Sequence, residues 1–385
     1  MLLIRNATVF SPDLLGKKEL LIGGNTILGI ADKIILPRGI DIEVFDANGL
    51  SVVPGLIDNH VHIAGAGGEG GPSTRTPELT LSSMFEGGVT TVIGCLGTDG
   101  LTRSVETVLM KAKSLRHEGA SAWIWTGAYQ VPTPTITGDV GRDIALIEEI
   151  IGVGELAISD HRSSCPSTEE LIRITALARV GGMLGKKAGM VNIHLGDARN
   201  PFSPLHEVVK HSELKYTQFL PTHCNRNDYI FEDSKIYGKT GYVDITTSSW
   251  PYFQDEEIKP STGLRLLLEA GVPSGHITFS SDSCGSLPGF DAQGRLVKLE
   301  MGLPSANLKE LADSVLKENI SLETSLKVLT SNVATILKLS GKGFIAPGMD
   351  ADLLFLDSGI KMTHLLAMGK WVVKDGVVIK KGTYE

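Results

Sequence analysis

The chain has 385 residues, 42% of them hydrophobic and 21% charged, an ordinary globular composition with ample material for a core. A net charge of −8 argues against a nucleic-acid partner, and no run approaches the roughly 18 unbroken apolar residues of a membrane-spanning helix, so no membrane partner is expected. Four cysteines are too few for a disulfide framework, and the opening MLLIRNATVF turns polar after three apolar residues, so a soluble protein of the reducing cytoplasm is expected.

At about 150 residues per domain, the length suits two or three domains, or one large barrel with an appendage. Short apolar or alternating runs at 2–5, 7–10, 19–22, 27–30 and 42–45 predict strands, separated by Asn, Gly, Pro and Asp. The last forty-odd residues repeat that style, with strands predicted over 352–356, 371–373 and 377–379. Neither end can build a core alone, so residues 1–54 and 340–385 are expected to pair into one small β-sandwich domain. Between them, strands are predicted at 55–63, 89–94, 121–127, 155–159, 190–194, 219–222, 242–246 and 276–281, with amphipathic helices such as 101–117, 167–179 and 261–270 between strands. Two more helices follow at 307–318 and 322–337. Eight strands alternating with helices over 55–339 predict an α/β domain, either a (β/α)8 TIM barrel or a doubly wound sheet.

Candidate metal ligands recur where these strands end. His60 and His62 are two residues apart on one strand, so their side chains share a face. His194, His223 and Asp282 end the fifth, sixth and eighth strands. Any one of them suits a hydrogen-bonded histidine or a capping aspartate equally well, but five at strand ends point to a divalent metal at the mouth of a barrel.

The run Pro54-Gly55-Leu56-Ile57-Asp58-Asn59-His60-Val61-His62 resembles the metal motif of the amidohydrolase superfamily, and Pro347-Gly348-Met349-Asp350-Ala351-Asp352-Leu353 resembles its closing motif. Within that superfamily the chain resembles the isoaspartyl dipeptidase, or β-aspartyl peptidase, family over essentially its whole length. The segments carrying this are Gly67-Gly68-Glu69-Gly70-Gly71-Pro72, Leu96-Gly97-Thr98-Asp99, Thr126-Gly127-Ala128-Tyr129, Ile158-Ser159-Asp160-His161-Arg162-Ser163, Pro221-Thr222-His223-Cys224-Asn225-Arg226-Asn227 and Ser280-Ser281-Asp282. The resemblance implies a (β/α)8 hydrolase with a sandwich built from both termini and two zinc ions per chain. His60, His62 and Asp282 would hold one zinc and His194 and His223 the other, with a carboxylate and a hydroxide bridging them. The chain departs from the family where a carbamylated lysine normally supplies that carboxylate. Alignment on 158–161 places Glu155 there, with one extra residue just before it, and no lysine lies between Lys113 and Lys186. Glutamate offers the same charge on a side chain roughly 3–4 Å shorter, so strand or metals must shift to meet it.

The implied substrate is an isoaspartyl dipeptide, which presents an ammonium and two carboxylates beside the scissile β-amide. Glu69 suits the ammonium, and Arg162 and Arg226 suit the carboxylates. By resemblance Gly67, Thr98 and Ser286 add contacts, Tyr129 binds and stabilises the developing oxyanion, and Asp282 carries the proton in an attack by the bridging hydroxide. His161 reads as structural or as a partner behind the ligands, and Cys224 and Cys284 as small residues in packed turns rather than ligands. The family also implies a homo-oligomer, an octamer being one size it allows. Rival readings are another amidohydrolase activity, on a cyclic amide or an N-acyl compound, and a non-catalytic assembly homologue that would have lost its ligands.

Overall fold

The computed structural model describes residues 1–36, 39, 41–291, 293 and 295–385. Strands β1 (Leu2–Phe10), β2 (Leu14–Gly23), β3 (Thr26–Ala31), β4 (Glu43–Asp46) and β5 (Ser51–Pro54) come first. The runs predicted at 2–5 and 7–10 form a single strand. Asn6 takes a left-handed φ of 54°, and the register against β2 shifts between Ile4 and Ala7, so a bulge carries the pairing past the polar residues.

The alternating part follows as β6 (Leu56–Val61), α1 (Leu81–Glu86), β7 (Val89–Gly94), α2 (Val105–Glu118), β8 (Ser121–Thr126), α3 (Val140–Leu146), β9 (Ile150–Ile158), α4 (Thr168–Gly185), β10 (Met190–Leu195), α5 (Ser203–Lys210), β11 (Phe219–Thr222), α6 (Asp228–Tyr237), β12 (Val243–Thr246), α7 (Pro260–Glu269) and β13 (Ile277–Ser280). Local signals set these limits. Ser104 caps α2 and Gly119 ends it at φ 104°, and Ser167 with Glu170 forms a capping box at the start of α4. Strand β9 begins five residues earlier than predicted, because Gly152 and Gly154 read as turn residues. A Cβ at Gly154 would meet Asn192 O at 2.6 Å, so glycine there is required by close packing of β9 on β10.

After β13 comes a hairpin the sequence reading lacked, β14 (Ser286–Phe290) with β15 (Leu296–Met301). The helix predicted over 322–337 is two, because Thr330 leaves the helical region at φ −137°, ψ −94°. The remaining elements are α8 (Ser305–Leu316), α9 (Leu322–Lys327), α10 (Ser331–Ile336), β16 (Leu353–Leu356), β17 (Met362–Ala367), β18 (Lys370–Lys374) and β19 (Val377–Val378). No helix among the described residues is long and apolar enough to cross a membrane.

Among the described residues, strands from both ends join in one nine-stranded sheet, in which β5 pairs with β1 on one side and with β16 on the other. Leu2, Ile4, Val52, Leu353 and Phe355 are buried in its own apolar cluster. The middle of the chain forms a curled sheet of six parallel strands, β6 to β11 in sequence order, and a parallel pair, β12 with β13. Helices α2, α3 and α4 pack on the curl, burying Val108, Leu115, Ile144 and Ile174 against it.

The two parallel sheets meet at both seams. Cys224 N donates to Asp244 O at 3.1 Å, and Asp282 N donates to His60 O at 3.1 Å. Asp244 on β12 ties both seams together. Its carboxylate accepts from Asn59 of β6 (2.9 Å), Thr222 of β11 (2.8 Å), and Thr278 and Ser280 of β13 (2.6 and 2.5 Å), all buried. Burial raises this carboxyl above the ordinary range, against the pull of its four donors. Asp244→Ala leaves those donors buried without their acceptor, at about 1–3 kcal/mol for each one stranded. We expect urea unfolding of the full chain to show a loss of about 3–5 kcal/mol, allowing for relaxation. Asp244→Asn should lose less, because its amide oxygen still accepts. Parental stability in Asp244→Ala would show the hub to be dispensable.

Candidate metal centre

Six side chains from five strands converge towards the C-terminal ends of the parallel strands, all buried. His60 lies on β6 and His62 just beyond it, on the same face as expected from their spacing. His194 lies on β10, whereas His223 and Asp282 follow β11 and β13 at left-handed φ of 62° and 54°. Such backbone is uncommon for these residues and turns both side chains inward from the strand ends. Glu155 reaches the same space from the middle of β9. Between Val153 and Leu156 this strand carries one residue more than its partner stretch Val191–Ile193. This is a bulge of β9 against β10, and Glu155 lies on it.

Glu155 divides its oxygens between two groups. Its Oε2 lies 3.3 Å from His60 Nε2, while Oε1 lies 2.7 Å from His194 Nδ1 and 3.1 Å from His223 Nε2. Asp282 Oδ1 is 3.0 Å from His62 Nε2 and 3.6 Å from His60 Nε2. Donor atoms of His60, His62, Cys95 and Glu155 lie within 4.8 Å of one another, as do those of Glu155, His194 and His223. Glu155 Oε2 and Asp282 Oδ1 are buried without a partner in hydrogen-bond geometry. Buried carboxylate oxygens facing imidazole nitrogens without such bonds form a donor set that fits divalent cations.

For Glu155 and His223 the electrostatics agree. Burial alone would raise the Glu155 carboxyl, but the imidazoles of His60 and His194 and hydrogen bonds from His194 and His223 hold it well below the usual range. Burial pushes His223 down to about 3 against its bond to Glu155, which keeps the ring neutral and competent as a ligand. Thr246 Oγ1 lies 2.7 Å from His223 Nδ1 and fixes the ring with Nε2 facing Glu155. Asp160 Oδ2, 2.9 Å from His194 Nε2, similarly leaves Nδ1 facing Glu155.

The remaining predicted residues border this cluster. The Tyr129 hydroxyl is 2.8 Å from His194 Nδ1, and burial next to the Glu155 charge raises its pKa well above that of an ordinary tyrosine, so it stays an O–H donor. Arg162 grips Asp160 with Nε (3.0 Å) and Nη2 (2.9 Å) and turns Nη1 towards Glu69 Oε1 at 3.5 Å. Thr98 Oγ1 is 3.4 Å from the same Glu69 oxygen. Gly67 lies against Ser286, whose Oγ is buried without a partner. Arg226 Nη1 has Asp160 and Asp197 only at 4.0 and 3.9 Å, too far for hydrogen bonds. His161, in contrast, is exposed and only loosely faces Asp160. The Cys224 and Cys284 thiols are buried outside the two donor groups, and burial pushes both up to about 12.

Sequence reasoning missed three members of this surround: Asp160, Thr246 and Cys95. Asp160 stood inside a quoted segment, but only the fold brings it to His194, 34 positions away.

No family model matches the chain. Among solved structures, it is similar to a β-aspartyl dipeptidase from thermophilic keratin-degrading Fervidobacterium islandicum AW-1 in complex with β-Asp-Leu dipeptide, at 42% identity and a TM-score of 0.91, over 98% of both chains. A second structure of a β-aspartyl dipeptidase from that organism matches at 40% identity and 0.88, again over 98% of both. An enamidase of the amidohydrolase superfamily shares the fold at 20% identity and a TM-score of 0.66, over 99% of this chain and 96% of that one. Among curated proteins, a dihydroorotase from Solibacter usitatus is 22% identical over 403 residues, covering 94% of this chain and 90% of its own.

Because Glu155 faces both donor groups, Glu155→Gln keeps the shape while removing the shared charge. Elemental analysis should find metal content in that variant at half the parental value or less. Apo-protein of the parent should reload with zinc alone in degassed buffer, since a glutamate needs no carbon dioxide to form. Reloading that requires bicarbonate would point to a carbamate elsewhere.

Proposed function

The chain belongs to the β-aspartyl dipeptidase family of amidohydrolases, and from that membership we propose that it is a metal-dependent isoaspartyl dipeptidase, cleaving the β-aspartyl amide of isoAsp-X dipeptides. One observation in the site carries the reading: the Glu155 carboxylate is shared by two donor groups, and Tyr129, Arg162, Arg226 and Glu69 gather beside them around His194 and Asp160. Around it we read a closed (β/α)8 barrel over 55–339, with a terminal β-sandwich domain from 1–54 and 340–385. We place the protein in the cytoplasm as a homo-oligomer.

His60, His62 and Asp282 would hold one divalent cation and His194 and His223 a second, with Glu155 between them; three or more imidazoles beside carboxylates favour zinc. Bound there, the pair would lower the pKa of water and polarise an amide carbonyl. The Asp282 carboxylate would accept the proton of the attacking water and return it to the nitrogen of the departing amino acid. Tyr129 Oη would donate to the carbonyl oxygen as that oxygen gains charge.

The surrounding charges suit this substrate. Arg226, without a hydrogen-bonded carboxylate of its own, is free for a substrate carboxylate. Arg162 spends two donors on Asp160, so its remaining Nη1 meets the second carboxylate or orients Glu69. Glu69, held by Thr98 and Arg162, would receive the ammonium. Ser286 Oγ and the backbone at Gly67 supply further hydrogen bonds.

Comparing β-Asp-Leu with α-Asp-Leu tests the reading. The two share atoms, charge and leaving group but differ in where the free carboxylate lies. Seating the α-isomer leaves a guanidinium unpaired, which costs several kcal/mol, or about a thousandfold in kcat/KM. Acetylating the substrate amine should cost comparably. Equal rates on the two isomers would refute the isoaspartyl reading and turn attention to cyclic amides, the kind of substrate the dihydroorotase similarity raises.

A pH effect follows from Glu257. Burial pushes its carboxyl up to about 7, against the Ser249 hydroxyl at 2.7 Å and the charge of Arg226. Below that pH Glu257 is neutral and Arg226 acts with its full charge; above it the new carboxylate offsets Arg226. The KM for β-Asp-Leu should therefore rise as pH climbs through about 7, and Glu257→Gln should flatten the rise. An unchanged profile in Glu257→Gln would remove Glu257 from the explanation.

A further inference from the structure

Cys95 was not among the expected ligands, and it is the first residue after β7. Its Sγ is fully buried, 3.6 Å from His60 Nε2 and 3.7 Å from His62 Nδ1. Its backbone neighbour, Val61 O, is equally distant at 3.6 Å. A tetrahedral zinc with Zn–N of about 2.05 Å and Zn–S of about 2.3 Å puts nitrogen and sulfur about 3.6 Å apart. The same tetrahedron puts nitrogen and a carboxylate oxygen about 3.4 Å apart, against 3.3 Å between His60 Nε2 and Glu155 Oε2. The spacings around His60 are thus those of one coordination shell. Two independent groups aim into the same space: the buried oxygens Glu155 Oε2 and Asp282 Oδ1, neither of which has a hydrogen-bond partner.

The chain after Cys95 is shaped to this contact. Gly97 takes φ +109°, and a Cβ there would meet the His62 ring at 2.6 Å, so residues 95–97 press directly on that imidazole. Cys224 contrasts with this. Its Sγ faces the carbonyl of Pro221 at 3.4 Å, where no imidazole approaches among the described residues.

We infer that Cys95 is a thiolate ligand of the cation held by His60 and His62. The inference rests on the binuclear reading above and adds a soft donor to a site otherwise made of nitrogen and oxygen. Loading then forms a sulfur–metal bond and releases the thiol proton to solvent. Cys95, Glu155 and Asp282 together would set three negative charges against the four positive charges of two divalent ions.

Cobalt(II) loaded into the metal-free full chain tests this without reference to activity. We expect a thiolate-to-cobalt charge-transfer band in the near-ultraviolet of the parent, absent from Cys95→Ser. Zinc affinity at that site should fall about tenfold or more in the variant, at least what loss of an outer-shell partner costs. Two cobalt ions per chain with no such band would overturn the ligand role of Cys95 while leaving the binuclear reading standing. A band that persists in Cys95→Ser would also overturn it, because another cysteine would then be bound. Less than one metal per chain in the parent would instead sink the binuclear reading, and this inference with it. Should Cys95→Ser fail to fold, a Cys165→Ser/Cys224→Ser/Cys284→Ser variant, which keeps Cys95 as its one cysteine, must still show the band, and its loss there would overturn the assignment.

Discussion

The metal-centre geometry depends on a buried carboxylate that is not itself in the donor groups. Asp244 accepts from side chains on β6, β11 and β13, the three strands that carry or precede His60, His223 and Asp282. The backbone ladders of the two parallel sheets thin out at these seams to a few bonds, and the side-chain hydrogen bonds around Asp244 reinforce them. A second buried carboxylate works beside it. Asp58 accepts from the backbone N–H (3.0 Å) and hydroxyl (2.5 Å) of Ser281, the residue before Asp282, and burial pushes its carboxyl up to about 7. Each acid sits one layer below the ligands and fixes the strand ends from which they project.

Glu155 shows how the backbone can place a short acidic side chain. Its carboxylate reaches both histidine groups from a stretch of β9 that carries one residue more than the partner stretch of β10. Gly154 makes this bulge possible, because only a residue without Cβ fits against Asn192.

Much of this was legible in the sequence for identifiable reasons. The parallel strands are buried on both faces and read as compact apolar runs, so β7 and β11 fall on their predicted limits. The five candidate ligands other than Glu155 are histidines and an aspartate at strand ends, a pattern that a period of two and a barrel topology make visible. The hairpin β14–β15 was not legible, because Val297, Leu299 and their polar neighbours are exposed there and give no burial pattern to find. Helices α9 and α10 read as one because Thr330, at the break, is compatible with either state. Asp160 and Cys95 escaped for a deeper reason. Their meaning lies in the approach of β9 to β10 and of β7 to β6, and no local spacing encodes which residue of one strand faces which ring of the next.

The terminal sheet has a consequence for the order in which the protein is made. Strand β5 is flanked by β1 and by β16, whose residues lie some 300 positions later; Val53 pairs with Leu354. At about 5–20 residues per second, a ribosome takes roughly 15–60 s to bridge that interval. Throughout it one edge of β5 offers unpaired N–H and C=O groups, although the strand beside it is ready to pair. Completion of the sheet is therefore timed by translation rather than by the far faster closure of strand on strand. A nascent chain stalled before residue 353 would carry an open, apolar edge for as long as the stall lasts, which makes this strand a natural handle for chaperones that attend the ribosome.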